Sequence, residues 1–304
     1  MFKLRDWIDE SNLSDFLSCN PRAIKYLEEN PDMIDWTILS ENPEAYSILN
    51  KNQDKINWKW LSRNPEAVSI IEKNPDKINW QRLSINPSAI HYLTKNIDIF
   101  IDKIDWEMLC VNPNAIELLT EYPERIDWGM LSSNTSAIHI LKEYPERINW
   151  NSLSYNTAAI HLLKQYPERI NWKNLSSNPT AISILEENKD KIDWNSLSNN
   201  PSALKLLTEN QDKIDWFLLS LNPGAIPLIE KNLDKVNWNL LSENPAAIHL
   251  LEQNQDKIEW NQLSANPAIF EYDYQHMTRP FTEELMANRF HPKNLDKFED
   301  WGYE

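Results

Sequence analysis

The sequence predicts an all-α protein: an αα-solenoid (superhelix) of about twelve 22-residue two-helix repeats with N- and C-terminal caps. Three observations carry that prediction. Trp returns at a fixed interval, an Asn, usually followed by Pro, stands six residues after each Trp, and the apolar residues beyond it fall at helical spacing.

The Trp series runs Trp36, Trp58, Trp80, Trp106, Trp128, Trp150, Trp172, Trp194, Trp216, Trp238 and Trp260, every step being 22 residues except the 26 from Trp80 to Trp106. With Trp at position one, the unit reads W-x-x-L-S-x-N-P-x-A-I-x-L-L-E-K-N-x-D-K-I-D/N. The position-seven Asn recurs twelve times, from Asn20 to Asn266, and the first unit has Ser14 in place of Trp. A leucine-rich repeat needs an apolar residue five before the Asn as well as three before. Leu always stands three before, but Thr37, Lys59, Gln81 and Asn151 stand five before. Only 3 glycines remain for tight β-turns.

In chain order, residues 1–13 are expected to form an N-terminal cap, with Trp7 and Ile8 folding back over an open end. The repeat solenoid follows over 14–268. Each unit opens a short helix at the Trp, capped by the Asp or Asn before it, with Glu259 as the exception. A longer helix opens at the Pro, with Asn42, Asn64, Asn156 and Asn178 among its caps. Asn134 and Asn156 are followed by Thr, so the cap is the stricter requirement. Losing one, as in Asn156→Ala, is expected to cost about 0.5–2 kcal/mol. Trp58, Trp128, Trp150 and Trp172 are read as structural core, each burial contributing roughly 4–6 kcal/mol before entropy. One unit cannot close such a core, so neighbours stack, and twelve would extend on the order of 100 Å as an elongated superhelix.

Position five is Ser, with Cys110 in one unit, which suggests that small size matters more there than the hydroxyl. The four extra residues between Asn96 and Trp106 equal about one helical turn and are expected to bend the stack. Three consecutive linkers read YPER, marking a distinct central block. The period fails at Ile269, and 269–304 is read as C-terminal capping helices, Pro280 to Phe290 having helical spacing.

Composition narrows function. The 304 residues carry 46 acidic and 30 basic side chains, a net charge of −16, whereas helical repeats that read RNA need a basic groove. No nucleic-acid partner is expected. No apolar run approaches the roughly 20 residues of a membrane span, so no membrane is expected. Two cysteines form no disulfide framework, which suits a reducing compartment. His91, His139, His161 and His249 share position twelve, but stacking holds them about 10 Å apart, too far to ligate one zinc. The position-nineteen acids each have a basic neighbour, which reads as solvated charge rather than a glycosidase pair. No nucleophile elbow or phosphate-cradling loop occurs, so neither an enzyme, a small-molecule substrate, a metal nor a cofactor is expected.

The KIDWxxLSxNPxAIxLLEKN unit, with a tail beginning NPxIFxYDY and closing in an ELM…HP segment, resembles the repeat proteins encoded in many copies by giant DNA viruses of amoebae and algae. The resemblance covers nearly the whole chain. It implies a mimivirus-like origin and this architecture, with the host cytoplasm or the virion as location.

Positions two, three and six vary between otherwise constant units. Met108, Met130, Leu218 and Leu240 read as packing between repeats. Trp60, Tyr155, Phe217 and Leu221 stand in polar or mixed columns and are the expected anchors for a protein partner. The expected function is a non-enzymatic interaction scaffold or adaptor. The alternative is a structural or assembly component of the virus particle.

Overall fold

The computed structural model describes residues 2–273, so the expected capping helices beyond Asp273 lie outside the described residues. Within them, α-helices and 3-10 turns alternate along the whole array, with two three-residue strands as the exceptions. The first helix of each unit begins at its Trp, as in Trp36–Leu39, Trp128–Leu131 and Trp150–Tyr155. The residue before the Trp caps it: Asp35 accepts the Ile38 N–H at 2.9 Å. Asn57 and Glu259 make no such side-chain bond. The Pro opens a 3-10 turn, such as Pro43–Ala45, which passes into an α-helix, here Tyr46–Lys51. A further 3-10 turn, such as Pro75–Lys77, leads to the next unit.

The core is made of small and aliphatic columns. Leu at position four (Leu39, Leu61, Leu131), Ala at ten (Ala45, Ala67, Ala137) and the apolar residue at fourteen (Leu49, Ile71, Leu141) are fully buried. The tryptophans are not its centre, which corrects the expectation for Trp58, Trp128, Trp150 and Trp172. All four are half-buried, packed against the core edge. Three of them are covered by a linker cation from their own unit: Lys77 over Trp58 at 4.6 Å, Arg147 over Trp128 at 5.2 Å, Lys191 over Trp172 at 4.6 Å. A flat indole with a cation on its face gains from both burial and quadrupole attraction, which accounts for the basic residue at position twenty. In the YPER units a tyrosine also stacks on the Trp, Tyr166 on Trp150 at 5.0 Å. Elsewhere Asn takes the tyrosine's place and caps the second helix, Asn52 donating to the Ile48 carbonyl at 2.8 Å.

Two side chains join each unit to the one before. The position-seven Asn accepts the N–H two residues on in all twelve units, the helix-cap bond. Its amide N–H₂ also donates to the carbonyl of position five in the preceding unit, 2.9–3.2 Å, again in all twelve. Asp, Ser or Thr could cap, but none of them brings an amide donor, so only Asn serves both bonds. The position-five hydroxyl is equally bound. Ser40 donates to the Trp36 carbonyl at 2.6 Å and accepts the Asn57 N–H at 2.9 Å. Size alone therefore does not explain that column. Cys110 is fully buried and keeps the acceptor half, its Sγ taking the Asp127 N–H at 3.3 Å, and burial pushes its thiol up to about 11.

The stack closes on itself. Asn20 donates to the carbonyls of Ser264 and Asn266, the same pair of bonds that Asn42 makes to Ser18 and Asn20 one unit later. The Ser14 N–H donates to Ser264 Oγ at 3.0 Å, one residue out of step with the internal joints. Strand β1 (Phe2–Leu4) pairs antiparallel with β2 (Phe270–Tyr272), and Arg5 donates to the carbonyls of Ala268 and Ile269. The expected open superhelix is thus a twelve-unit closed ring, and the roughly 100 Å of stacking becomes its circumference. No open end exists there for Trp7 and Ile8 to cover. Ile8 is buried, and its segment belongs to the closure. The insertion leaves the joint bonds in place. It forms a short helix, Ile97–Phe100, that brings Phe100 onto Trp80 at 4.7 Å, while Asp105 and Asn112 keep their usual bonds to Ser84.

Candidate functional site: the inner wall of the ring

Neighbouring first helices pack backbone to backbone, as Trp150–Tyr155 does on Trp172–Ser176. Neighbouring second helices are spanned by long side chains, Lys205 to Glu186 at 3.0 Å and His249 to Glu230 at 2.8 Å. Cavities of about 420 and 510 Å³ lie between them, lined by Glu28 and Lys51 and by Thr120 and Tyr144. In a closed ring the layer with closer spacing lies at the smaller radius. The first helices therefore form the inner wall, around a lumen roughly 20–25 Å across at helix spacings of about 8–10 Å.

Positions one, four, five and seven of that helix are committed to core and joints, leaving two, three and six to face the lumen. Position two is exposed in nearly every unit, position three half-buried, position six mixed. Lys59, Arg63, Arg82 and Lys173 are balanced there by Asp15, Glu41, Glu107 and Glu243, so the wall is neutral in a chain of charge −16. Arg63 and Glu41 pair across neighbouring units at 2.9 Å. The wall over the seventh to ninth units is mostly Asn and Ser. Asn174 donates across it to the Asn151 carbonyl, and Asn171 to the Asn151 side chain.

The residues expected to bind a partner all lie on this wall, and the ring distributes them. Tyr155 is 50% exposed and Phe217 56%, so both present a ring face to solvent. Leu221 is half-buried in the same unit as Phe217. Trp60 is also half-buried, with the Arg82 guanidinium 4.6 Å from its ring centre and Lys59 at 5.8 Å. It borders a pocket of about 350 Å³ with Cys19, Ile38 and Glu41. Trp60, Tyr155 and Phe217 belong to the third, seventh and tenth units and form no single patch. Phe16, 43% exposed at position three of the first unit, is a fourth aromatic on the wall. Its column also holds Ile38, Met108, Met130, Leu218 and Leu240, so along the sequence it reads as packing between repeats. The pocket beside Trp60 was likewise invisible, since it spans three units.

Asn42, Asn64, Asn156 and Asn178 are buried and serve as caps. His91, His139, His161 and His249 are exposed on the second helices. Among the described residues no helix is long and apolar enough to cross a membrane, and no cluster of three potential metal ligands occurs. Comparison with family models, curated proteins and solved structures gives no match.

Proposed function

We propose that this chain is a non-enzymatic ring scaffold of a giant virus, binding a host or viral protein through the variable positions of its inner wall. The carrying observation is a division of labour along one helix. Positions fixed by the joints never face the lumen, and the positions that do face it differ from unit to unit, including the exposed rings of Tyr155 and Phe217. Such surfaces supply a few apolar anchors in a polar rim. The wall's neutrality argues against a nucleic-acid duplex, which a ring of this bore would hold only with basic residues.

The test is affinity capture from infected-cell lysate, with nuclease, comparing the native chain with Trp60, Tyr155 and Phe217 all changed to Ser. A nuclease-resistant protein lost with the triple variant, whose folding is checked by circular dichroism, supports the adaptor. Capture of major particle proteins alone, indifferent to those changes, moves the reading to a structural component of the particle.

A further inference from the structure

Three cations stand close together on the inner wall of the third and fourth units, and one of them has a counter-charge. Arg63 pairs with Glu41 at 2.9 Å. Lys59 and Arg82 make no ion pair and no side-chain hydrogen bond among the described residues. Each lies instead against the Trp60 ring, 5.8 and 4.6 Å from its centre. The Arg82 Nε–H is buried without an acceptor, while its outer Nη groups, equally unpartnered, are not buried. Buried polar groups are nearly always bonded, so this guanidinium is unusual. Stacking holds its plane, and its outer edge is left as a fork of N–H donors of the kind that grips a carboxylate. With Glu41 cancelled by Arg63, this sector of the wall is positive in a chain of charge −16. Trp60 also borders the cavity of about 350 Å³, where Ile38 and Pro43 supply apolar lining.

We propose that Lys59, Trp60 and Arg82 form a binding site for an acidic segment of the protein partner. A Glu or Asp carboxylate sits on the Arg82 fork with Lys59 beside it, and a large apolar side chain next to it in sequence enters the cavity. The site rests on the reading that the inner wall binds protein. Fork and cavity share one indole, so residues adjacent or two apart in an extended chain reach both. The donor set favours a carboxylate over a phosphate, which is commonly cradled by free backbone N–H groups. Here the Trp60 and Leu61 N–H groups are taken by the Asn57 carbonyl, and that of Arg82 by the Asn79 side chain.

The probe is an end-blocked pentapeptide, Gly-Phe-Glu-Glu-Gly, titrated into the full chain by calorimetry at low ionic strength. Saturable binding is expected, weakened at least about tenfold by Arg82→Gln or by replacing both peptide Glu residues with Gln. Replacing the peptide Phe with Ala should weaken it by a similar factor. Arg82→Lys, which keeps the charge without the fork, should recover only part of the loss. Lys173→Gln removes a cation from the same column as Lys59, five units on, and should change nothing. Thermal unfolding of each variant shows whether the ring is intact. No saturable binding, or an equal loss with Lys173→Gln, overturns the site. Inorganic phosphate that displaces the peptide at equal concentration assigns the cations to a phosphate ligand and overturns the acidic segment. The capture experiment separates this site from the scaffold itself. A protein lost with the triple variant but retained by Arg82→Gln leaves the scaffold standing and removes the site.

Discussion

The eleven joints inside the chain and the one that closes the ring use the same asparagine and reach stability differently. At an internal joint the Asn amide, the Ser hydroxyl and a half-buried Trp act together, and the linker holds the units in place whether or not those bonds are made. At the closing joint the Asn bonds remain, the Trp is gone, and a basic strap on a two-stranded ladder takes over. The repeat code therefore suffices to stack units, and only the closing joint needs residues outside the code.

The sharpest way to break the comparison is to remove the same side chain from both kinds of joint. Asn156→Ala leaves the buried Ser132 carbonyl without a partner, takes one of two bonds from the Asn134 carbonyl and removes the cap on the Ala158 N–H, and it should cost about 2–4 kcal/mol in chemical denaturation. That exceeds the 0.5–2 kcal/mol of a lost cap alone. Asn20→Ala should instead open the ring, seen as a larger radius of gyration in X-ray scattering while helical content is kept. If both variants behave alike, the two joints are equivalent and the distinction fails.

A smaller effect is expected where two internal units come unusually close. A Cβ on Gly224 would lie 2.0 Å from the Pro201 carbonyl oxygen of the preceding unit, so Gly224→Ala should lower stability by about 1–3 kcal/mol, read from the denaturation midpoint. Smaller again is a gain. Cys110→Ser restores a hydroxyl donor for the Trp106 carbonyl at the one joint that lacks it, and thermal unfolding should shift upward by the equivalent of about 1 kcal/mol.

The smallest effect belongs to the seam and is read by pH. Tyr26 lies edge-on to Phe270 of β2 at 6.2 Å and donates to Glu10 at 3.0 Å, and burial together with that carboxylate raises its phenol to about 12. The folded chain keeps this proton after an unfolded tyrosine has lost its own. The contribution is therefore fully present below pH 10 and disappears as pH rises from 10 towards 12. Ultraviolet titration should show Tyr26 among the tyrosines that ionise late, and Glu10→Gln should bring it earlier.

Much of this was legible along the chain. The period, the helix starts at Trp and Pro, the caps before the Trp and at Asn42 or Asn178, and the outward histidines all depend on neighbours within a few residues. What was misjudged depends on contacts a full unit away. Nothing local marks the Ser hydroxyl as a bond to the next unit, so Cys110 suggested that only size mattered. Nothing local shows that Lys77 lies on Trp58, 19 residues earlier, so the indole reads as core when it is half-buried at the core's edge. Tyr155 and Phe217 stand out because their rings break polar or mixed columns, while Phe16 stands in a largely apolar column that reads as packing.

By itself the sequence determined the unit: its two helices, its caps and its need for neighbours, because hydrogen-bond capping and apolar spacing act over one or two turns. Only the tertiary structure decided that twelve such units make a ring. Closure depends on the small rotation at each joint, about one-twelfth of a circle, set by the difference in spacing between two helical layers. No residue encodes that angle alone. It is a sum over twelve interfaces, and its result decides that the variable positions face a lumen.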